Sequence, residues 1–241
     1  MEFLNATKIF KRLSSIYIVI RDIVIERKLS HLKNEDRFSL IYHSGYWKTE
    51  SKGSFSGEGS SMIATEAIRK SLPVMLKTLS IRSMLDLPCG DWHWMSAVDL
   101  SDIDYIGSDI VQDLVRHNQQ KYGSPARRFV RLDLISDELP CCDLIFVRDC
   151  LVHLDNIQIH EAIRNIIASG STYLATTIFN NVTQNIESNV VDGWRPLNLM
   201  LPPFNFPQPI DMLDDRSSIN LNDTWKYMGV FRVDDLAKCY C

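Results

Sequence analysis

Ser83-Met84-Leu85-Asp86-Leu87-Pro88-Cys89-Gly90-Asp91-Trp92 decides how this chain is read. An apolar run ends on an acid, a Pro-Cys-Gly turn follows, and the next residues read as a helix over 92–99. A parallel sheet presents a nucleotide-like ligand at its carboxyl edge through this kind of strand-to-helix turn. Two further strand-like runs also end on acids: Asp104-Tyr105-Ile106-Gly107-Ser108-Asp109 and Arg128-Phe129-Val130-Arg131-Leu132-Asp133. Asp86, Asp109 and Asp133 stand 23 and 24 residues apart. One such turn is weak evidence; three in phase make a pattern.

Working outward, strands are expected near 82–87, 104–109, 127–132, 142–148 and 171–178, with helices at 111–122 and 155–169. Cys142–Val147 is continuously apolar apart from Asp143, as in a strand covered on both faces. This alternation predicts a doubly wound, Rossmann-like α/β fold with a mostly parallel sheet. Upstream, Ser60 or Ser61 opens a helix to about Leu79 that Pro73 bends or divides. Residues 1–38 read as a helical extension and 39–241 as the functional domain. Within that domain 39–61 is a glycine- and serine-rich loop. Residues 180–223 are irregular, and Thr224–Val233 reads as a late strand pair or hairpin.

The bulk properties narrow the function. The 241 residues carry a net charge of −4, which gives no reason to expect nucleic acid or an anionic membrane as partner. The six cysteines lack CxxC spacing, so reduced thiols in a cytoplasmic protein are the simplest account. Clustered His/Cys spacing is missing too, and no metal site is expected. Between Phe3 and Ile25, charged residues interrupt every apolar run, so neither a membrane span nor a secretory signal is expected. The basic amphipathic segment within 1–33 packs on the domain, on a partner, or on a membrane surface.

Each acid has two readings. Asp86 accepts hydrogen bonds from an ammonium or holds the turn. Asp109 takes both ribose hydroxyls or caps the helix after Val111. Asp133 receives an adenine amine, with Leu134 against the ring, or is an ordinary loop acid. The chain has neither a Gly-x-Gly-x-x-Gly turn nor a phosphate loop. Arg148-Asp149-Cys150-Leu151-Val152-His153 follows the fourth strand. His153 is placed there to deprotonate a hydroxyl or to sit in the core, and Asp149 to orient it or to neutralise Arg148. After the fifth strand, Trp194 supplies an apolar wall and Arg195 and Asn198 directed polar groups, a combination suited to a glycan or another polar small molecule. The same residues also read as a stiff loop closing the sheet edge.

On these residues the chain resembles the class I S-adenosylmethionine-dependent methyltransferases. It looks closest to small-molecule enzymes with an Asp-x-Pro-Cys-Gly-Asp turn. The markers include Trp47, Ser56–Ser60, Leu85–Asp91, Tyr105–Val111, Arg148–Leu154 and Gly193–Leu199. The resemblance implies seven strands, with S-adenosylmethionine over the ends of the first three. Asp86 and Gly90 would lie at its methionine end, Asp109 and Ile110 at the ribose, and Asp133 and Leu134 at the adenine. Trp47 and Arg148 complete that set. Pro88 and Trp92 stand where the general motif prefers glycines, which shifts contacts to Cys89 and Asp91. The implied reaction methylates a hydroxyl, less readily an amine, of a small molecule, with saccharides among the candidates. Its rivals are a nicotinamide-dependent oxidoreductase and a catalytically silent binding module.

Overall fold

The computed structural model describes residues 25, 29, 32–47, 54–187, 194–217 and 225–240. Most of the expected N-terminal extension lies outside these residues. A helix, α1 (Asn34–Ser44), crosses the 38/39 division and replaces the first part of the expected 39–61 loop. Its Ile41 is buried with Ile25 and Leu29, and Gly45 ends it in the left-handed region at φ 63°.

After a short 3-10 turn at Glu58–Ser60 comes α2 (Glu66–Thr78). Ile68, Leu72, Met75 and Leu76 form its buried stripe at helical spacing. Pro73 lies inside this helix rather than ending it, at the cost of one i→i−4 bond. The strands are β1 (Ser83–Asp86), β2 (Asp104–Asp109), β3 (Arg127–Arg131), β4 (Leu144–Val147), β5 (Tyr173–Phe179), β6 (Asp211–Asp214) and β7 (Lys226–Arg232). They form one sheet in the order β3-β2-β1-β4-β5-β7-β6. The first five are parallel, and β7 runs antiparallel between β5 and β6.

Alternate residues of each strand feed opposite cores. Leu85, Ile106 and Ile145 pack toward α4 (Asn156–Ala168) and α5 (Val233–Tyr240). Met84, Tyr105 and Leu144 pack toward α2 and α3 (Gln112–Tyr122). All four β4 residues are buried, as a strand covered on both faces requires.

Three expectations need correction. No α-helix occupies 92–99; only a 3-10 turn at Met95–Ala97 does. Trp92 sits at φ 55°, turning its ring into a buried group with Tyr105, Tyr122 and Phe129, and that conformation is incompatible with a helix start. The irregular 180–223 region contains β6. The late hairpin is one strand, β7, whose partners β5 and β6 both precede it.

Candidate active site

The carboxyl ends of β1, β2, β3 and β4 open onto one cavity of about 400 Å³. Asp86, Asp109 and Asp133 all line it, with Pro88, Cys89 and Gly90 beside the first and Ile110 and Leu134 following the other two. A volume of this order suits a cofactor-sized ligand. Phe38 and Tyr42 of α1, together with Trp47, form its wall on the N-terminal side.

Asp109 is 6% exposed. Its Oδ2 accepts the Gly90 N–H at 3.2 Å and its Oδ1 the Val111 N–H at 3.0 Å. The carboxylate therefore holds the glycine turn and caps the approach to α3, and each oxygen retains a lone pair for a ligand. Burial pushes its pKa up to about 6 despite these donors. Asp86, 3% exposed, accepts the Tyr105 hydroxyl, and burial raises it to about 7. Asp133 is less buried; its Oδ1 accepts the Ile135 N–H at 2.9 Å and its Oδ2 the Ser136 hydroxyl at 3.0 Å. Leu134 is buried beside it.

Gly90 takes φ 54°, and a Cβ there would lie 2.5 Å from Ser56 Oγ. The 54–60 strap thus packs directly on the turn. Asp91 fastens it: the Phe55 N–H donates to Asp91 Oδ2 at 2.6 Å, and the Asp91 N–H donates to Ser56 Oγ at 2.9 Å. Asp91 is engaged with this strap and does not line the cavity. Cys89 does, but burial raises its thiol well above the usual range, and burial pushes Cys150 up to about 12. Neither is set up as a nucleophile.

Past the end of β4 lies a feature the sequence does not announce. Arg148 holds Asp215 through two bonds, Nε to Oδ2 at 2.9 Å and Nη2 to Oδ1 at 3.0 Å. It also donates from Nη2 to the Gly59 carbonyl at 3.0 Å and pairs through Nη1 with Asp149 at 3.1 Å. Lys226 of β7, 2% exposed, donates to Asp149 Oδ2 at 2.6 Å and lies 3.3 Å from Asp215 Oδ2. Asp149 is a left-handed residue at φ 53°, and its N–H donates to Thr177 Oγ1 at 2.8 Å. Burial alone would raise its carboxyl, but Lys226 and Arg148 outweigh that and hold it at about 2.

His153 ends a 3-10 turn, Leu151–His153, with its ring 5.0 Å from that of Trp47 and 6.3 Å from that of Phe38. It lines the cavity, as does Trp194, which packs edge-on against Phe179. Arg195 and Asn198 do not. Arg195 donates to the Leu154 carbonyl at 2.5 Å and to Asn156 Oδ1 at 2.9 Å, stitching its segment to the α4 approach. Asn198 Nδ2 donates to the Val182 carbonyl at 3.2 Å, and its Oδ1 accepts the Met200 N–H at 3.2 Å. Both are buried and tied within the chain, and neither lines this cavity.

No model of a known family matches the chain, and no curated protein matches it in sequence. Solved structures do match. One is the 1,6-didemethyltoxoflavin-N1-methyltransferase of Burkholderia thailandensis, with its substrate and S-adenosylhomocysteine bound. It is 15% identical with a TM-score of 0.56, over 82% of this chain and 86% of that one. The magnesium protoporphyrin IX methyltransferase of Synechocystis PCC 6803, with S-adenosylhomocysteine bound, is 15% identical with a TM-score of 0.53, over 82% and 93%. The N-methyltransferase NodS of Bradyrhizobium japonicum is 12% identical with a TM-score of 0.53, over 72% and 98%. This chain has the class I methyltransferase fold. The strand order and the antiparallel β7 are its topology here.

The residues present suit S-adenosylmethionine. Two desolvated acids without an ion pair among the described residues, Asp86 and Asp109, face the space where an ammonium and ribose hydroxyls would supply the missing partners. A pyrophosphate suits them poorly. The turn after β1 presents carboxylates rather than the N-terminus of an α-helix, and the helical dipole that steadies phosphates is missing there.

Proposed function

We propose that this protein transfers a methyl group from S-adenosylmethionine to a hydroxyl, less readily an amine, of a polar small molecule, with saccharides among the acceptor classes, in the cytoplasm. The observation that carries the reading is the convergence of Asp86, Asp109 and Asp133 on one cavity at adjoining strand ends. Asp86 and the Gly90 turn would hold the methionine end, Asp109 and Ile110 the ribose, and Asp133 and Leu134 the adenine. The Asp86–Asp91 turn is the mark of the small-molecule subgroup the sequence resembles.

When bound, the sulfonium supplies a methyl carbon already activated toward a nucleophile. The chain's own residues align the acceptor and exclude water. Trp47, Trp94, Phe179 and Trp194 give the cavity aromatic walls on which the apolar face of a sugar ring can rest. As the acceptor oxygen gains the carbon, the C–S electron pair stays on sulfur and the hydroxyl proton must leave. His153 is the cavity-lining group proposed to receive it, with Asp149 beside it proposed to orient it. Residues 39–241 would form the catalytic domain, with the preceding segment as an extension.

Calorimetric titration of the purified chain with S-adenosylhomocysteine tests the reading. Saturable one-to-one binding is expected, competed by S-adenosylmethionine. Binding of a nicotinamide nucleotide in its place would overturn it.

A further inference from the structure

The strand order lays out the cavity in sequence. If adenine and ribose lie over β3 and β2 and the methionine end over β1, the next strand end along the sheet is that of β4, followed by β5 and β7. The groups there are Asp149 after β4, Thr177 in β5 and Lys226 at the start of β7. They stand where the acceptor must meet the methyl group.

Arg148, Asp149, Asp215 and Lys226 form a closed ionic quartet with two formal charges of each sign. Asp215 is 1% exposed, Lys226 2% and Arg148 6%, whereas the Asp149 side chain is 28% exposed. The carboxylate of Asp149 is thus the quartet's main opening toward the cavity. Burying four charges carries a large desolvation cost, and apolar side chains of similar size would fill the space with less penalty. The geometry restricts Asp149 further. Its Oδ2 takes both Arg148 and Lys226, and its backbone is anchored to Thr177. Its Oδ1 is in reach of the Thr177 hydroxyl alone among the described residues, at 3.4 Å. Gly59 passes overhead, where a Cβ would lie 3.4 Å from Asp149 Oδ2 and 3.9 Å from Lys226 Nζ.

Resting on the methyltransferase reading, we propose that Asp149 receives the hydrogen bond of the acceptor's hydroxyl beside the methyl position. Lys226, Arg148 and Asp215 are positioning residues that fix its charge and direction. Because the quartet is neutral as a whole, it admits a neutral polyol and offers no net charge to an ionic acceptor. Lys226 does not act on the acceptor directly; it keeps the Asp149 carboxylate ionised, so the acceptor's hydroxyl meets an anionic hydrogen-bond acceptor.

Two unreactive donor analogues test this without a known acceptor. S-adenosylhomocysteine carries nothing at the methyl position, and sinefungin carries an ammonium there. The ratio of their affinities, measured by calorimetry on the full chain, reads the charge facing that position. Asp149→Asn takes the quartet from neutral to a single positive charge, so sinefungin should lose about tenfold relative to S-adenosylhomocysteine. Lys226→Met leaves a single negative charge, and the ratio should move about threefold the other way. Lys226→Arg should keep the native ratio. Retained S-adenosylhomocysteine binding reports that each variant is folded. An unchanged ratio in Asp149→Asn and Lys226→Met would overturn the proposal while leaving the cofactor assignment standing. If neither analogue binds the native chain, the cofactor assignment fails and this inference falls with it.

Discussion

At the ends of β1 and β2, Asp86 and Asp109 are buried acids with no ion pair among the described residues. Beyond β4, Asp149 and Asp215 are acids that each contact two cations. Burial raises the first pair, to about 7 and about 6, while Lys226 and Arg148 hold Asp149 at about 2. The same residue type thus does opposite work a strand or two apart. One half of the cavity is electrostatically incomplete and calls for a ligand that brings charge and hydrogen-bond donors. The other half is complete in itself and calls for a ligand that brings neither net charge nor a strong acid.

The hardest blow to this contrast is Asp215→Asn, which leaves Arg148 and Lys226 sharing one carboxylate. Breaking a buried pair in this way costs about 3–5 kcal/mol, and denaturant unfolding should show a loss of that order. A loss below about 1 kcal/mol would mean the quartet is not a closed unit. Next is Asp109→Ala, which should weaken S-adenosylhomocysteine on the order of 10- to 100-fold, about the worth of one hydrogen bond to a charged acceptor. Unchanged affinity would remove the ribose assignment.

A pH series sharpens the comparison. The raised pKa values of Asp86 and Asp109 favour the protonated folded state. Their contribution to stability is full below about pH 4 and is lost as pH rises through about 6 to 7. A ligand ammonium beside Asp86 offsets that loss, so the thermal shift given by S-adenosylhomocysteine should be larger at pH 8 than at pH 5.5. Asp149 behaves oppositely: its contribution is present above about pH 4 and disappears as pH falls toward 2. Asp149→Asn should therefore lower the neutral plateau and flatten the fall in stability between about pH 4 and 2. The smallest effect is reserved for Arg195→Lys. It should lower the melting temperature by a few degrees through lost ties to Leu154 and Asn156, with S-adenosylhomocysteine affinity unchanged.

The incomplete half was legible in the sequence because its residues come in order. Each strand delivers its acid at its own end, so regular spacing along the chain becomes adjacency along the sheet edge. The complete half was not, because its partners come from positions 148, 149, 215 and 226. Asp215 sits in Asp214-Asp215-Arg216, which reads as an ordinary solvated stretch. Lys226 carried a signal, being a charge within the otherwise uncharged, largely apolar run Trp225-Lys226-Tyr227-Met228-Gly229-Val230-Phe231. A strand buried on both faces tolerates such a residue only with a partner. Trp92 misled in a different way. Its place after a glycine turn suggests a helix start, but burying its ring against Tyr105 and Phe129 outweighs the local preference. The intrachain ties of Arg195 and Asn198 were not legible, because polar side chains in a long loop read alike whether they face solvent, a ligand or their own backbone.

The contribution of α1 to the cavity has a practical consequence. Phe38 and Tyr42 belong to α1, and none of the seven strands depends on them for pairing. A shortened chain that begins after Ser44 would keep its sheet and its three acids yet lack a side wall. Such a fragment, well folded by spectroscopy and poor at retaining any adenosyl compound, would be easily mistaken for an inactive protein.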